Sequence, residues 1–470
     1  MKIGSFGRTR RVHFVGVGGS GMSGIAEVLV NLGYAVSGSD AKRSDVTDRL
    51  ASLGVAVAIG HDARHVGDAD VVVVSSAIPA SNPEVADARR RHVPVIPRAE
   101  MLAELMRVRT GIAIAGAHGK TTTTSMVAWT LDRAGLDPVA VIGGRVAAFG
   151  GHARIGQGAF MVAEADESDR SFLTLSPTIV VVTNLDHEHL DAYGTYDRLE
   201  DAFVTFADRV PFYGAVVACR DDAGVAAILP RIRRRVITYG FAAGADVRGL
   251  GPWTDGRASA CDVEFAMRGV PHGTGAGRLE LAVPGVHNVL NALAAVAVGL
   301  EVGVPFEAVA EALAEFRGAE RRFTVVGSAR GVTVVDDYGH HPTEIAAVLR
   351  AARAGAPRRL VAVFQPHRFT RTRDLIDAFG PALALADVVV LSDIYPAGEP
   401  PIDGVTIERL ADAVRRAAPN VQLVKDVAAL PDAVASLASA GDLVVLLGAG
   451  SIGGVARPLL SRIEAGGVTP

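Results

Sequence analysis

Short apolar runs rich in β-branched residues alternate with longer amphipathic segments along most of the chain. The runs RVHFV, DADVVVVSS, GIAIAG, TIVVVT and LVAVF each contain a short, mostly apolar core, as expected of parallel strands that are buried on both faces. The segments between them repeat apolar residues at helical spacing, and Gly and Pro stand at the joints. This alternation predicts an α/β protein built from parallel sheets with crossover helices.

The alternation divides into three segments. In the first, a strand at residues 12–17 leads through glycines into a helix that ends near residue 32, and the next strand ends at Asp40. The second starts at GIAIAG, and its Gly-rich stretch 240–284 predicts short strands and loops ahead of the helix HNVLNALAAVAVGLEVG. The third repeats the strand–loop–helix pattern. We therefore predict three domains, at residues 1–107, 108–321 and 322–470.

Composition narrows the class of protein. The 470 residues are 49% hydrophobic and 21% charged with a net charge of -4, which fits a globular protein and gives no reason to expect nucleic acid as a partner. The two cysteines, Cys219 and Cys261, form neither a zinc spacing nor a disulfide framework, so we expect a cytoplasmic protein. The N-terminus lacks a signal-peptide core, and the longest apolar stretch is short of a membrane span, so no membrane insertion is expected.

Acids, histidines and arginines cluster directly after the predicted strands, whereas the strands themselves are apolar. In open parallel sheets the ligands bind beyond the carboxyl ends of the strands. A sheet needs no such clustering for its stability. The clustering therefore favours a binding or catalytic role for these loops.

The first glycine loop, GVGGSG from Gly16 to Gly21, satisfies the dinucleotide fingerprint. It follows a strand and opens a helix, so its backbone can approach a diphosphate at the helix N-terminus. Asp40 ends the next strand and is placed to accept a hydrogen bond from a ribose hydroxyl. The loop alone leaves open whether the ligand is a nicotinamide dinucleotide or another nucleotide such as a UDP-sugar, and a tight turn without a ligand is the alternative.

The second loop, GAHGKTTTTS, is shorter than the standard phosphate-binding pattern, which requires a glycine where this chain has Ile114. Gly119, Lys120 and Thr121 nevertheless supply a phosphate cradle, in which the lysine reaches the terminal phosphates and the threonine hydroxyl binds magnesium. The alternative is a threonine-rich helix cap. The loop therefore predicts a Mg·ATP site if suitable carboxylates lie nearby.

Two later strands end in polar runs that could complete such a site, VAEADESD and TNLDHEHLD. Glu164 directly follows an apolar strand and is the best metal-ligand candidate, while Asp166 and Asp186 offer further carboxylates. His189 is an unusual magnesium ligand, so a purely electrostatic role stays open. His287 and Asn291 share one helix face, where Asn291 suits an adenine edge, although ordinary helix capping nearby is an equal alternative.

The third segment carries a basic cluster after successive strands: Asp336, Asp337, His340, His341, His367, Arg368, Arg371 and Arg373. Arginine pairs bidentately with carboxylate or phosphate, and histidine exchanges protons near neutral pH. Such a set suits a site where phosphate leaves and an amine attacks. A solvated basic loop is the alternative.

These motifs together resemble the Mur ligase family over essentially the whole chain. The resemblance rests on GVGGSGMSG, GAHGKTTTTS, EADESDRSFL, TNLDHEHLD, HNVLNALAA, RRF, DDYGHHPTE, FQPHRFTRTRDL, YPAGEPP and GAGSIG, in the family's order. That family uses the short phosphate loop. The resemblance implies a Rossmann-like N-terminal domain, a central P-loop-type ATPase domain with a mostly parallel sheet and a small β insertion, and a Rossmann-like C-terminal domain.

The resemblance also implies the reaction. ATP would phosphorylate the lactyl carboxylate of UDP-N-acetylmuramate, and the amino group of L-alanine would attack the acyl phosphate, in peptidoglycan precursor synthesis. The implied cofactors are ATP and Mg²⁺, and the chain is expected to be a monomer or homodimer. The amino acid follows from the motifs of the alanine-adding branch and from the lack, after Pro211, of a clear lysine like the one that is carbamylated in the ligases adding later residues.

Site residues follow by motif. Catalytic roles are implied for Lys120, His189, His367, Arg368 and Arg371, of which the last three would hold alanine and the intermediate. Thr121, Glu164 and His189 would surround the metal. The implied ATP-binding residues are Gly116, Ala117, His118, Gly119, Lys120, Thr121, Thr122, His287, Asn291, Arg322, Asp336 and Asp337. The implied UDP-sugar-binding residues are Gly18, Gly19, Ser20, Gly21, Met22, Ser23, Asp40, Ser75 and Ser76.

One position departs from the family pattern, because Glu188 stands where an Asp usually precedes the metal-site histidine, and this leaves its own role open. The nearest alternative function is a recycling ligase that joins UDP-N-acetylmuramate to a preformed peptide. An NAD-dependent oxidoreductase would explain the first loop but not Lys120 or the third cluster. A non-catalytic nucleotide-binding regulator would not need Lys120, Glu164 and His189 together.

Overall fold

The computed structural model describes residues 6–75, 77–146, 149, 151–418 and 420–466. Strands and helices alternate along the chain and assemble into three mostly parallel sheets, which confirms the predicted α/β class. Residue contacts group the chain into two compact units. One comprises residues 1–250, 262–279 and 290–316, and the other comprises residues 251–261, 280–289 and 317–470.

The first sheet has five parallel strands: β1 (Arg11–Val15), β2 (Ala35–Asp40), β3 (Ala56–Ile59), β4 (Val71–Val74) and β5 (Val95–Pro97). Its helices are α1 (Ser20–Asn31), α2 (Asp45–Ser52), α3 (Pro83–Arg90) and α4 (Arg98–Arg107). β1 ends two residues earlier than predicted, because Gly16 takes a φ of 80° and turns the chain towards α1. The strand order β3-β2-β1-β4-β5 reverses beside β1, so the loop after β1 opens at the switch point where such sheets bind ligands.

The second sheet has ten strands in the order β15-β14-β13-β12-β11-β10-β6-β9-β7-β8. The strands are β6 (Thr110–Ala115), β7 (Val139–Val146), β8 (Gly151–Arg154), β9 (Phe160–Glu164), β10 (Ile179–Val182), β11 (Ala215–Cys219), β12 (Val236–Gly240), β13 (Val247–Thr254), β14 (Ser259–Ala266) and β15 (Thr274–Leu281). β7 pairs antiparallel with β8, whereas the pairs from β12 across to β7 are parallel. The Gly-rich stretch therefore forms three full strands at one end of this sheet.

The helices that accompany the second sheet are α5 (Lys120–Arg133), α6 (Leu190–Tyr193), α7 (Tyr196–Ala207), α8 (Ala223–Ile228), α9 (Val286–Glu301) and α10 (Phe306–Ala314). α9 is the apolar helix that the sequence predicts, and most of its residues are buried. Across the described ranges, no helix is both long enough and apolar enough to cross a bilayer.

The third sheet has the order β16-β17-β21-β18-β19-β20 and lies in the second compact unit. Its strands are β16 (Thr324–Ala329), β17 (Val332–Asp337), β18 (Arg359–Phe364), β19 (Val388–Leu391), β20 (Val421–Leu423) and β21 (Asp442–Leu447). Its helices are α11 (Pro342–Ala354), α12 (Phe369–Asp374), α13 (Ile376–Leu383), α14 (Ile407–Arg415), α15 (Leu430–Leu437) and α16 (Ala456–Ala465). β16 pairs antiparallel at the edge, and the remaining pairs are parallel.

The first two sheets share one hydrophobic core. Phe14 and Met101 from the first sheet and its helices lie in the same buried cluster as Val141 and Phe172. Helix α1 also packs against the hairpin of β7 and β8. The carboxyl end of β1 is therefore held beside the central sheet within one compact unit.

Candidate active site

The phosphate loop is shaped by two glycines between β6 and α5. Gly116 has a φ of 134°, and a Cβ placed there would lie 2.1 Å from the Thr183 Oγ1. Gly119 is the N-cap of α5 with a φ of 78°, and its Cβ would lie 2.6 Å from the Asn291 Oδ1. Both positions exclude other side chains, so the loop closes in four residues and delivers Lys120 as the first residue of α5.

Lys120 folds back over its own loop. Its Nζ donates to the carbonyl oxygens of Gly116 at 2.7 Å and Ala117 at 3.2 Å, and it pairs with the Glu167 Oε1 at 2.8 Å. Burial disfavours the charged ammonium, but nearby carboxylates, foremost Glu167, outweigh burial and raise the pKa of Lys120 above its usual range. Lys120 is therefore a protonated cation at a helix N-terminus, as a phosphate ligand requires.

Sequence reasoning missed Glu167. Its side chain is 3% exposed, and burial raises its pKa to about 7, with Lys120 acting against that rise. Among the described residues the Glu167 Oε2 is buried without a hydrogen-bond partner. Three other acids stand in the same run EADESD, and only the backbone turn after β9 decides which of them reaches Lys120. No sequence signal separates Glu167 from those neighbours.

The structure brings together two of the three predicted metal ligands. The Thr121 hydroxyl donates to the Glu164 Oε2 at 2.9 Å, and the Gly143 N–H donates to the same oxygen at 3.0 Å. The third, His189, has its Nε2 at 3.6 Å from the Glu167 Oε1. A hydroxyl and carboxylate oxygens, one of them unpartnered and buried, are the donor set that Mg²⁺ prefers, so these residues fit a magnesium ion.

Backbone strain occurs at two of the predicted site residues. His189 and Arg368 have φ values of 58° and 72°, in the left-handed region that side chains with a Cβ rarely adopt. Such strain is held in place only where the surrounding structure fixes it, and it concentrates at functional sites. The strained residues in the loops after β10 and β18 therefore favour a functional role for these loops.

His118 and Ala117 attach the phosphate loop to the segment after β10. The His118 N–H donates to the Asn184 Oδ1 at 2.7 Å, and the His118 Nε2 lies 2.8 Å from the Asp186 Oδ2. The Ala117 N–H donates to the Asn184 carbonyl at 3.1 Å. Thr122 is 8% exposed within α5. These contacts make loop packing the structural role of His118 in this conformation.

Asp40 lies next to the first glycine loop, which is the position that the dinucleotide fingerprint predicts for it. The Gly18 N–H donates to the Asp40 Oδ2 at 2.9 Å, and Gly19 caps α1, whose first residue is Ser20. Met22 and Ser23 are 2% and 0% exposed, so neither side chain is accessible to a ligand in this conformation. Ser75 follows β4 at the same edge of the sheet. Ser76 lies outside the described residues.

His367, Arg368 and Arg371 follow β18 in the sequence, and two of them lie close to each other. The His367 ring stacks on Tyr395 with centroids 5.5 Å apart, and the Arg371 Nη1 lies 3.4 Å from the His367 Nδ1. Burial, aided by the positive groups around it, lowers the pKa of His367 to about 3. His367 is therefore neutral at pH 7 and lies beside two permanent cations. Tyr395 was not among the predicted site residues, although it belongs to the motif YPAGEPP.

The two acids that end β17, Asp336 and Asp337, have different environments. Asp336 pairs with the Arg321 Nε at 3.0 Å, and Arg321 lies over the ring of Tyr338. Asp337 accepts hydrogen bonds from the N–H groups of Phe323 at 2.7 Å and Gly339 at 2.6 Å, and its burial raises its pKa to about 6. Both Asp337 oxygens thus hold the backbone. Arg322 lies 5.3 Å from the centre of the Tyr338 ring.

His287 and Asn291 stand one turn apart on α9. Burial lowers the pKa of His287 to about 4, so its imidazole is neutral near pH 7. A Cβ at Gly285 would lie 2.4 Å from the His287 Cε1, so this glycine makes room for the ring. The Asn291 Oδ1 accepts a hydrogen bond from the Thr123 hydroxyl at 3.1 Å, which connects α9 to α5 beside the phosphate loop.

Three family models match successive parts of the chain. The model of the "Mur ligase family, catalytic domain" matches residues 11–110, that of the "Mur ligase middle domain" matches residues 114–299, and that of the "Mur ligase, glutamate ligase domain" matches residues 321–450. Together these matches extend over most of the sequence.

Curated relatives and solved structures agree with those matches. The UDP-N-acetylmuramate–L-alanine ligases of Pelobacter propionicus and Geobacter sulfurreducens are each 53% identical to this chain, over 98% of it and 99% of their own length. The crystal structure of UDP-N-acetylmuramate-alanine ligase from Thermotoga maritima has a TM-score of 0.81 at 30% identity and covers 97% of this chain and 99% of its own. A murein peptide ligase from Psychrobacter arcticus has a TM-score of 0.71 at 25% identity, with the same coverage. The chain therefore belongs to the Mur ligase family and has its three-domain α/β fold.

Proposed function

We propose that this protein joins L-alanine to the lactyl carboxylate of UDP-N-acetylmuramate and converts ATP to ADP and phosphate, as a step of peptidoglycan precursor synthesis. The observation that carries the proposal is the 53% identity, over nearly the full length of both chains, to curated ligases named for that reaction. The geometry of the phosphate loop and of the basic cluster supports each chemical step.

The first step activates the carboxylate. A carboxylate oxygen attacks the γ-phosphorus of ATP, the bond from that phosphorus to the β–γ bridging oxygen breaks, and ADP leaves. Lys120 at the N-terminus of α5 offsets charge on the transferring phosphoryl group. When ATP binds, the Lys120 ammonium would leave its ion pair with Glu167 and pair with the phosphates, because they carry more negative charge than one carboxylate does.

Thr121, Glu164 and His189 would hold Mg²⁺. When bound, the ion neutralises part of the triphosphate charge. The hydroxyl of Thr121 already hydrogen-bonds Glu164, which is the last residue of β9 and pairs with β6. The buried, unpartnered Glu167 Oε2 supports a cation nearby. The oxygen ligands of Thr121 and Glu164 are therefore already held in place before the nucleotide binds.

The second step forms the amide. The amine of L-alanine attacks the acyl carbon, and the tetrahedral intermediate collapses as the carbon–oxygen bond to phosphate breaks. The departing phosphate takes up the proton that the amine nitrogen loses. Arg368 and Arg371 would pair with the alanine carboxylate and the intermediate, while neutral His367 can accept a hydrogen bond from the amine. The positions of these three side chains after one strand support a common role.

The nucleotide sites complete the proposal. Neutral His287 and Asn291 would contact adenine, Asp336 or Asp337 would contact the ribose, and Arg322 would also bind ATP. The backbone engagement of both Asp337 oxygens favours Asp336 for that contact. ATP phosphates would lie on residues 116–122. The UDP-sugar would lie on Gly18, Gly19, Ser20, Gly21, Met22, Ser23, Asp40, Ser75 and Ser76, with Met22 and Ser23 acting through the α1 backbone because their side chains are buried.

The boundaries of the three domains, at 1–107, 108–321 and 322–470, belong to the same proposal, as do a cytoplasmic location and a monomeric or homodimeric state. Sedimentation of the purified protein with and without substrates measures the last of these.

One experiment tests the reaction. Phosphate release is measured with ATP, Mg²⁺ and UDP-N-acetylmuramate while the amine is varied among L-alanine, glycine, L-serine and the stem tripeptide. We expect L-alanine to give the highest kcat/KM, because a missing methyl group or an added hydroxyl costs a small pocket about 10- to 200-fold. Stimulation by the tripeptide but not by L-alanine would contradict the proposal and identify a recycling ligase instead. Turnover without any amine would point to a simple ATPase.

A further inference from the structure

A cavity of about 180 Å³ lies between helices α1 and α4 on one side and strands β7 and β9 on the other. Its lining includes Gly21 of the first glycine loop and Glu164, the proposed metal ligand. It is smaller than the roughly 300–1,000 Å³ of pockets that enclose whole small ligands, so it suits one end of a longer substrate. The cavity therefore connects the place proposed for the UDP-sugar with the place proposed for phosphoryl transfer.

The side chain of Arg98 lines this cavity. This side chain is 30% exposed, and the nearest ionic partner of its guanidinium is the Asp166 Oδ2 at 3.7 Å, which is too long for a hydrogen bond. Asp166 instead accepts a hydrogen bond from the Ser168 N–H at 3.0 Å. Within the described ranges no hydrogen bond engages the Arg98 guanidinium, which carries five N–H donors. Such a cation in a partly enclosed cavity favours an anion as its partner.

Gly21 makes the position of Arg98 possible. A Cβ at Gly21 would lie 1.8 Å from the Arg98 Nη1 and 2.9 Å from its Cζ. The last glycine of the fingerprint therefore makes space here for a guanidinium. Arg98 is the first residue of α4, and its side chain reaches from that helix over the first turn of α1. A substitution at Gly21 or at Arg98 would therefore change the same part of the cavity wall.

We propose that Arg98 binds the lactyl carboxylate of the acceptor and positions it for attack on the γ-phosphate. This inference rests on the proposed function. One carboxylate oxygen would pair with the guanidinium, and the other would face the end of the cavity lined by Glu164, whose partner Thr121 adjoins Lys120. The diphosphate of the same substrate is the other anion within reach of α1, and the experiment separates the two.

The test compares two UDP-sugars that differ only in the lactyl group. Calorimetric titration measures binding of UDP-N-acetylmuramate and UDP-N-acetylglucosamine to the wild-type protein and to Arg98→Ala, Arg98→Lys and Arg107→Ala. Arg107 is the matched control, because it lies at the other end of α4, is 60% exposed and pairs with Glu104 at 3.0 Å. ADP binding and the melting temperature report whether each variant is folded.

We expect Arg98→Ala to weaken UDP-N-acetylmuramate binding by about 10- to 100-fold and to leave UDP-N-acetylglucosamine and ADP binding unchanged. The affinity of Arg98→Lys for UDP-N-acetylmuramate should fall between those of the wild-type protein and Arg98→Ala, because lysine keeps the charge but lacks the planar guanidinium. Arg107→Ala should match wild type. In turnover, the KM for UDP-N-acetylmuramate should rise in Arg98→Ala while the KM for ATP stays constant.

Two outcomes would overturn the assignment of Arg98 alone. Unchanged UDP-N-acetylmuramate binding in Arg98→Ala would leave the guanidinium a structural group, and equal losses for both UDP-sugars would make it a diphosphate ligand. A wild-type protein that does not bind UDP-N-acetylmuramate at all would instead contradict the proposed function, and the inference would fall with it. The wild-type titration thus separates the two failures.

Discussion

The polar side chains around the phosphate loop contact one another in pairs, and a bound nucleotide would replace some of these contacts. Lys120 pairs with Glu167, Thr121 hydrogen-bonds Glu164, and each partner is largely buried or fixed by a neighbouring backbone group. Burial strengthens such pairs, and it also makes an unpaired charge costly. The pairs therefore hold these side chains in place before ATP binds and include the groups that ATP would use.

Replacing Lys120 with alanine tests that dual role. We expect Lys120→Ala to lower kcat/KM by at least about 100-fold, because the transferring phosphoryl group loses its cation. Binding of UDP-N-acetylmuramate should stay near normal. Phosphate release and calorimetric titration measure the two effects. Lys425→Ala is the control, since Lys425 pairs with Glu408 on the surface. Normal turnover in Lys120→Ala would exclude the phosphate role.

Arg371 and Arg373 offer a matched pair on one short helix. Arg371 lies beside His367, whereas Arg373 is 54% exposed and pairs with its neighbour Asp374 at 2.7 Å. We expect Arg371→Ala to raise the KM for L-alanine by about 10- to 100-fold and to leave ATP binding unchanged, because a carboxylate loses a charge-assisted hydrogen bond. Arg373→Ala should behave as wild type. A defect confined to ATP binding would place Arg371 at the nucleotide instead.

His287 predicts a pH dependence of stability. Burial lowers its folded-state pKa to about 4, below the unfolded value near 6.5. The unfolded chain therefore takes up a proton first, and stability is lost as the pH falls from about 6.5 towards 4. Between pH 7 and pH 5 this group should cost about 1–2 kcal/mol. Urea unfolding without nucleotide measures it. His287→Gln should show a smaller loss over that range, and an identical loss would contradict the assignment.

At the scale of an element, α5 and its two flanking glycines can be compared directly. Gly116 precedes the helix with a φ of 134°, and a Cβ there would meet Thr183 at 2.1 Å. Gly135 follows the helix with a φ of 76°, and a Cβ there would meet nothing within 4 Å. The first glycine is therefore constrained by conformation and by space, whereas the second is constrained by conformation alone.

Alanine at each position should separate these two constraints. We expect Gly135→Ala to cost about 1 kcal/mol of unfolding free energy, the cost of a left-handed residue with a Cβ. Gly116→Ala should cost about 2–4 kcal/mol, because Thr183 must also move. Chemical denaturation measures both. Equal losses would show that the space around Gly116 adapts without cost.

The sequence predicts elements better than it predicts contacts. The solid apolar runs located β1, β4, β6, β10 and β18 because burial on both faces leaves a pattern that needs no partner to be recognised. It did not predict the antiparallel edge strand β16, whose side chains are mostly half-exposed, or the β7–β8 hairpin. Such pairings depend on neighbouring strands that lie elsewhere in the sequence.

The same limit applies to the candidate site. Lys120, Thr121 and Glu164 follow from local motifs, since each stands at a strand or helix end that the pattern fixes. Glu167 and Arg98 could not be predicted, because their roles depend on a turn after β9 and on the approach of α4 to α1. No motif marks Arg98 in the sequence, and only the folded chain shows its side chain in a cavity.

At the scale of the whole molecule, the chain is organised as two compact units, and each of them carries some of the proposed site residues. The first unit contains the glycine loop after β1, the phosphate loop and the cavity beside Arg98. The second contains the six-stranded sheet with His367, Arg368 and Arg371. Each unit has hydrophobic clusters of its own. Chains of this size with more than one unit commonly unfold in more than one step.

This organisation predicts how ligands shift thermal unfolding. We expect scanning calorimetry to resolve two transitions and UDP-N-acetylmuramate to raise only the one that belongs to the first unit. A ligand at 100 times its Kd stabilises the folded form it binds by about 2.7 kcal/mol. N-acetylglucosamine is the control and should shift neither transition, because it lacks both the nucleotide that the loop after β1 would bind and the lactyl carboxylate that Arg98 would bind. A common shift of both transitions would mean that the two units unfold as one cooperative body.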